Sequence, residues 1–363
     1  MSLLAQEHHA INLSQGFPDF DLDPKLTNLV THAMQKGFNQ YAPMPGIIEL
    51  RKVIANKYRH YYNIEVDYKD EITVTAGGTE ALYSTISALI HPGDEVITFE
   101  PAYDSYAPSV LSFGGKVIPI KLFGPDFSID WNMVRSKITD KTKLIIINNP
   151  NNPTGRLLTR SDLEALEKIV EETGIFLLSD EVYEHLVFDE GKHISVLAFN
   201  NLRKNAFVVA SFGKVLHATG WKMGYVIASE ELTAEFRKIH QFNVFSVNTP
   251  MQYAIAEYLN DIGYYKSLAN FFQQKRDYVM QELKSSAFNI LPCQGTYFLL
   301  VDYSAMSVEN ELAFAEKLTI EHKVATIPIS AFYGDEYNQR LLRICFAKKE
   351  ETLEKAVQNL RKI

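Results

Sequence analysis

Cysteine is scarce: the 363 residues contain only Cys293 and Cys345, and they form no Cys-x-x-Cys. That excludes a disulfide framework and a structural zinc site and fits a reducing compartment, so a cytoplasmic location is expected. Long apolar runs are missing as well. Nowhere do roughly 20 apolar residues follow one another, and the opening "MSLLAQEHHAINLSQG" has neither a basic start nor a long apolar stretch, so neither a membrane span nor an export signal is expected. Basic runs stop at pairs such as Lys348-Lys349, and the formal net charge is −8. Phosphate-backbone contacts need clustered Lys and Arg, which argues against a nucleic-acid surface. Gly/Ser linkers, low-complexity tracts and internal repeats are also absent. The His8-His9 pair lacks the carboxylate and spacing of a metal site, and no metal is expected.

What is present is an ordinary globular composition, 46% hydrophobic and 22% charged, on a chain too long for one ordinary core. From Glu71 short β-branched runs alternate with helical periods. "EITVT", "DEVITFE", "KVIPIKL", "KLIIINN", "IFLLSD", "AFVVAS" and "GYVIAS" read as strands, while "TEALYSTISALI" and "DLEALEKIVEETG" read as helices. This pattern predicts an α/β domain with a largely parallel sheet. After about residue 255 long helical stretches such as "YYKSLANFFQQKRDYVMQELKSS" interleave with "TYFLLVDY" and "RLLRICFAK", predicting a smaller α+β region. Residues up to about 28 carry the turn signals of "GFPDFDLDP" and no regular period, and are expected to cross the surface. The expected division is a large domain over residues 29–274 and a small one from 1–28 with 275–363.

The informative step is positional, because ligands of open α/β sheets bind at the carboxyl ends of the strands. Here "EITVT" is followed by Ala76-Gly77-Gly78-Thr79, "DEVITFE" by Pro101-Ala102-Tyr103, "KLIII" by "NNPNNPTG", "IFLLS" by Asp180-Glu181-Val182-Tyr183, and "AFVVA" by Ser211 and then Lys214. These five ends would converge on one cleft. The step from "GGT" into a helix leaves free backbone N–H groups at the positive end of the helix dipole, an anion cup suited to phosphate. Ser211 and Lys222 would add a hydroxyl and a cation. Asp180, at the end of an apolar strand, is costly unless paired with a cation such as a protonated ring nitrogen. Lys214, near the positive charge of Lys222, would have the lowered proton affinity that an imine-forming amine needs. A phosphate, a pyridinium, a ring to stack on Tyr103 and a reactive lysine together describe pyridoxal 5′-phosphate, with Gly213 leaving room for the ring.

At this point the chain resembles a known family, the fold-type I, class I/II pyridoxal-phosphate aminotransferases. "LSQGFPDF", "QYAPMPGIIELR", "TAGGTEALY", "PAYDSY", "NPNNPTG", "SDEVYEHL", "SFGKVLHATGWKMGY" and "RLLRICFAK" occur in the family's order over essentially the whole chain. Within the family it is most similar to the kynurenine and glutamine transaminase branch and its bacterial methionine-preferring members. The resemblance implies that Lys214 carries the cofactor covalently and that Asp180 partners the pyridine nitrogen. Asn152 and Tyr183 would bond the ring's 3-hydroxyl. Gly78, Thr79 and Ser211 would hold the phosphate, and Tyr103 would stack on the ring. Arg343 would bind the substrate α-carboxylate with help from a backbone group at Gly16. Tyr41 would reach the phosphate of a neighbouring subunit, implying a homodimer with a shared active site. Two positions depart from the family pattern: Lys222 stands where many members have arginine, turning a bidentate grip into a point charge, and Gly213 where many have serine.

Taken singly, most of these residues have plainer readings. A lone lysine after a strand is usually a solvated charge, "NPNNPTG" is a turn sequence, and "AGGTEA" matches neither the dinucleotide fingerprint nor the P-loop. Arg340 competes with Arg343, but the two differ by an odd number of residues and would face opposite sides of a strand. Phe17, Phe20, Phe245 and Tyr333 are candidates for a side-chain pocket, with a core role the leading reading for each. No second arginine lies near the motifs to pair a distal carboxylate, so the expected reaction is transamination of methionine or an aromatic amino acid with a 2-oxo acid. A β-lyase acting on cysteine conjugates would use the same site. A cofactor-sensing regulator would need an attached DNA-binding domain, for which residues 1–30 leave no room.

Overall fold

The structure, a computed structural model, describes residues 1–335 and 337–363. Its centre is a seven-stranded sheet in the order Ile72–Thr75, Gly224–Ile227, Ala206–Ser211, Phe176–Asp180, Thr142–Asn148, Glu95–Glu100 and Lys116–Lys121. Gly224–Ile227 runs antiparallel to both its neighbours, and every other pairing is parallel. The inner strands are β-branched and apolar because helices cover both faces of a parallel sheet, so both faces must be hydrophobic. Phe176–Asp180 and Ala206–Ser211 are accordingly buried almost along their whole length. Lys116–Lys121 sits at the edge, half exposed, and there alone the sheet accommodates a proline, Pro119.

A second, antiparallel sheet of four strands follows the order Ile327–Pro328, Leu341–Cys345, Phe298–Asp302 and Asn289–Ile290. The 20-residue helix Tyr264–Leu283 leads into it, and the expected division after residue 274 falls within that helix. The first residues differ from expectation. Ser2–Glu7 is a short helix, and Ile11–Asn12 pairs in parallel with Val324–Ala325. Elements of six and two residues are too short for a hydrophobic period to register. The "DP" turn signal is in fact a helix start: Asp23 accepts from the backbone N–H of Lys25, and Pro24 opens the helix Pro24–Gln35.

Two glycines allow the approach of backbones beneath the site. Gly77 adopts φ +82 as it turns out of Ile72–Thr75 into the helix Gly77–Leu89. A Cβ at Gly224 would lie 2.7 Å from the Ala210 carbonyl oxygen and 2.9 Å from the Gly77 carbonyl carbon. No other residue type fits there without moving backbone, so this glycine packs the turn into the helix Gly77–Leu89 against the strand that leads to Lys214.

Candidate active site

At the carboxyl ends of the parallel strands lies one cavity of about 340 Å³. Of the residues singled out from sequence, Gly16, Gly78, Thr79, Tyr103, Asn152, Asp180, Tyr183, Ser211, Lys214, Lys222 and Arg343 line it. Tyr41, Phe17 and Phe245 do not. Tyr41 is 82% exposed and meets Phe245 edge to face, ring centroids 5.4 Å apart. Phe17 is 42% exposed, and the Lys348 ammonium lies over its ring. Phe20 and Tyr333 are also displaced: Phe20 packs against His217 and Phe271, while the Tyr333 hydroxyl donates to the Leu122 carbonyl. The aromatic walls come instead from Phe298 and Phe332.

The helix Gly77–Leu89 has no side-chain cap from Ala76, so the N–H groups of its first turn are available to an anion. Thr79 and Lys222 flank that end, Lys222 Nζ standing 3.5 Å from Thr79 Oγ1. Lys222 is held there in a left-handed backbone conformation, φ 53. Gly213 lines the cavity as well, and the backbone on its other side is close. A Cβ at this position would meet Thr219 Cα at 3.1 Å and the Ala218 carbonyl at 3.3 Å, so the glycine admits the 218–219 turn.

Asp180 ends its strand almost fully buried. Burial pushes its carboxyl up to about 6, against the opposing effect of a hydrogen bond from Tyr106. Asn148 Nδ2 and the Asn149 N–H both donate to the Asp180 backbone carbonyl, at 2.9 and 3.0 Å. Asn148 Oδ1 accepts from the Asn152 N–H at 2.7 Å. The "NNPNNPTG" turn is thereby tied to the acid beside it.

Lys214 Nζ donates to the Tyr297 hydroxyl at 2.9 Å, and that hydroxyl donates to the Gly16 carbonyl at 2.7 Å. The amine also lies 5.3 Å from the Tyr183 ring centroid. Burial lowers its pKa from 10.5 to about 8; Asp180 opposes this, while Arg343 and Lys222 reinforce it. Tyr183 is buried, which raises its phenol above the usual range.

Arg343 rises from the strand Leu341–Cys345 and is buried. Its Nη1 donates to Asn152 Oδ1 at 2.7 Å and its Nη2 to the Ser14 carbonyl at 3.2 Å, while the buried Nε has no partner. The guanidinium carbon lies 3.9 Å from the Phe298 ring centroid and 4.9 Å from that of Phe332. Arg340, the competing arginine, precedes this strand and is exposed.

Sequence reasoning missed Tyr106, Tyr297, Asn148, Phe298 and Phe332. The signal for Tyr106 was its place three residues after Tyr103 in "PAYDSY", and that for Asn148 its place at the head of "NNPNNPTG"; the others had none beyond lying close to strand ends. The donor set as a whole fits pyridoxal phosphate: an uncapped helix start flanked by hydroxyl and ammonium groups, a buried acid, an amine of lowered proton affinity, and a buried guanidinium with a free N–H.

Comparison with known proteins agrees. Residues 8–360 match the family model "Aminotransferase class I and II". Over 100% of its length the chain is 49% identical to the methionine aminotransferase of Escherichia coli, covering 94% of that protein. It is 34% identical to the kynurenine–oxoglutarate transaminase of Dictyostelium discoideum, covering 100% of this chain and 92% of that one. Its fold superposes with a TM-score of 0.98 on the crystal structure of Escherichia coli YbdL, described as having a methionine aminotransferase function, at 48% identity and with 100% and 95% of the two chains covered. With the N-succinyldiaminopimelate aminotransferase of Mycobacterium tuberculosis the TM-score is 0.95 at 35% identity, covering 100% and 95%. The chain thus belongs to the class I and II aminotransferases, a pyridoxal-phosphate-dependent family, and is an enzyme that transaminates amino acids.

Proposed function

We propose that this enzyme transfers the amino group of methionine or an aromatic amino acid to a 2-oxo acid, with pyridoxal phosphate carried on Lys214. When bound, that cofactor supplies a carbonyl for the amino group and a ring that spreads negative charge away from the substrate α-carbon. Around it, Gly78, Thr79, Ser211 and Lys222 hold the phosphate, and Tyr103 stacks on the ring. Asn152 and Tyr183 bond the ring hydroxyl, and Asp180, ionised, keeps a proton on the ring nitrogen. The Lys214 amine takes the α-proton and returns it on the other side of the reaction, acting as base and then acid; a proton affinity near neutrality suits both tasks. Arg343 grips the α-carboxylate, with Gly16 beside it.

The observation that carries the reading is that Lys214, with its lowered pKa, and Arg343, with an unpartnered buried Nε, line one cavity. Substrate class follows from the walls. Among the described residues lining the cavity, Arg343 is the only arginine, and Phe298, Phe332 and Ile327 are apolar, so an apolar side chain is favoured over a second carboxylate. The 49% identity to a methionine aminotransferase supports the same choice. Tyr41, outside its own chain's cavity and 82% exposed, is free to serve a second copy, which supports a homodimer with a shared site. The test is to mix the purified holoprotein with single amino acids and follow the visible absorption of the cofactor. Methionine, phenylalanine and tyrosine should bleach it with release of the 2-oxo acid, and Lys214→Ala should abolish the response while remaining folded. Glutamate or aspartate reacting fastest would overturn the substrate assignment, and pyruvate with free thiol from a cysteine conjugate would mark β-elimination.

A further inference from the structure

Behind the turn that follows Asp180 lies a buried polar cluster that none of these steps uses. Lys57 and Glu184 form an ion pair at 2.5 Å, their side chains 3% and 2% exposed. Lys57 comes from the helix Ile48–Tyr62, six residues beyond the end of the "QYAPMPGIIELR" stretch at Arg51. Glu184 Oε1 also accepts from the Tyr225 hydroxyl at 3.3 Å, which itself accepts from Lys57 at 2.7 Å. Oε2 accepts from the Tyr62 hydroxyl at 2.7 Å, and Tyr62 meets His193 Nδ1 at 3.1 Å. Both oxygens of one carboxylate are thus fixed by donors from the helix Ile48–Tyr62 and the strand Gly224–Ile227. Among the described residues no group of three or more His, Cys, Asp and Glu is arranged to hold a metal ion.

Glu184 adjoins Tyr183 and closes the turn begun by Asp180: its N–H donates to the Glu181 carbonyl at 2.9 Å, and the Glu181 N–H donates to the Val209 carbonyl at 2.8 Å. Every residue from Asp180 to Glu184 is buried. The pair is costly to desolvate and is often replaceable by apolar residues without loss of stability. Its multiple, directional contacts therefore point to placement as the gain.

We propose that Lys57 is a positioning residue which, through Glu184, fixes the turn carrying Asp180 and Tyr183 against the cofactor ring; the proposal rests on the reading of the site given above. Lys57→Met alone strands a buried carboxylate and can prevent folding, so the test uses Tyr62→Phe and the double variant Lys57→Met/Glu184→Gln. Each is assayed for thermal unfolding, for kcat and KM, and for the pH titration of the holoenzyme's visible band, which reports the groups at the ring. The expected result is a folded, cofactor-loaded protein whose titration midpoint moves and whose kcat falls roughly 10-fold while KM stays within about threefold, as when a positioned group is loosened. Folded variants with unchanged midpoint and kcat would overturn the positioning role, and Tyr62→Phe alone decides if the double variant does not fold. A wild-type protein with no titrating visible band would instead defeat the reading of the site, so the two failures are distinct.

Discussion

The hydroxyl of Tyr106 donates a 2.6 Å hydrogen bond to Oδ2 of Asp180, inside a cavity wall where both are buried. The other oxygen, Oδ1, has only the Val182 N–H at 3.3 Å. Burial raises the Asp180 carboxyl, and the Tyr106 bond is the largest of the effects that lower it again. Tyr106→Phe keeps the ring and its packing but removes that bond, so Asp180 should hold a proton more often and support a pyridinium less well. A hydrogen bond to a charged group is worth about 1.5–3 kcal/mol, which corresponds to a loss of roughly 10- to 100-fold in kcat/KM. Steady-state kinetics alongside thermal unfolding checks this. An unchanged rate in a folded variant would show that Asp180 keeps its charge without the phenol.

Arg343 has one donor bonded to Asn152, one to Ser14 and a third, Nε, buried and unpartnered. A planar guanidinium can hold those two partners and still present an edge to a carboxylate, whereas an ammonium presents a point charge. Arg343→Lys is therefore expected to raise KM for the amino acid by roughly 100-fold, the scale of a lost bidentate charged contact, and to leave cofactor binding intact. Substrate titration of the visible band measures the first, and the absorption spectrum before substrate measures the second. An unaltered KM would place the carboxylate anchor elsewhere.

The sheet and most of the cavity were legible because parallel strands advertise themselves twice, as apolar β-branched runs and by the odd residues that end them. Asp180, Ser211 and the "GGT" step needed only to be listed in strand order. Tyr106 and Tyr297 were not legible, since a buried phenol that donates to a site group has the same local pattern as one that fills core. Lys57 was hidden for the opposite reason: a lysine within a helix reads as a solvated charge, and only the fold reveals Glu184 beside it. Phe17 and Phe245 lie outside the cavity lining of the single chain, because aromatic composition carries no direction. The short helix Ser2–Glu7 is below the length at which periodicity speaks.

The lowered pKa of Lys214 has a thermodynamic counterpart in the protein freed of cofactor. Its amine titrates at about 8 in the fold against 10.5 when unperturbed, mainly because burial disfavours the charged form. Below pH 8 both folded and unfolded chains carry the proton, and the folded state bears the full cost of a buried ammonium. Between about 8 and 10.5 the unfolded chain still holds the proton and the folded chain has released it, so stability rises with pH across that window. Lys214 as a residue is only partly buried and lines the cleft, so water there reduces the size of the gain. Buried phenols such as Tyr183 and the thiol of Cys293, all raised by burial, act in the opposite sense at the alkaline end. They are common to both proteins when the wild type is compared with Lys214→Met, and their effect cancels in the difference. Urea unfolding of the two apoproteins at pH 8, 9 and 10 should show Lys214→Met the more stable at pH 8, with its advantage shrinking as pH rises. A constant difference would mean that the amine is hydrated in the fold, and would remove the physical basis for its action as a base near neutral pH.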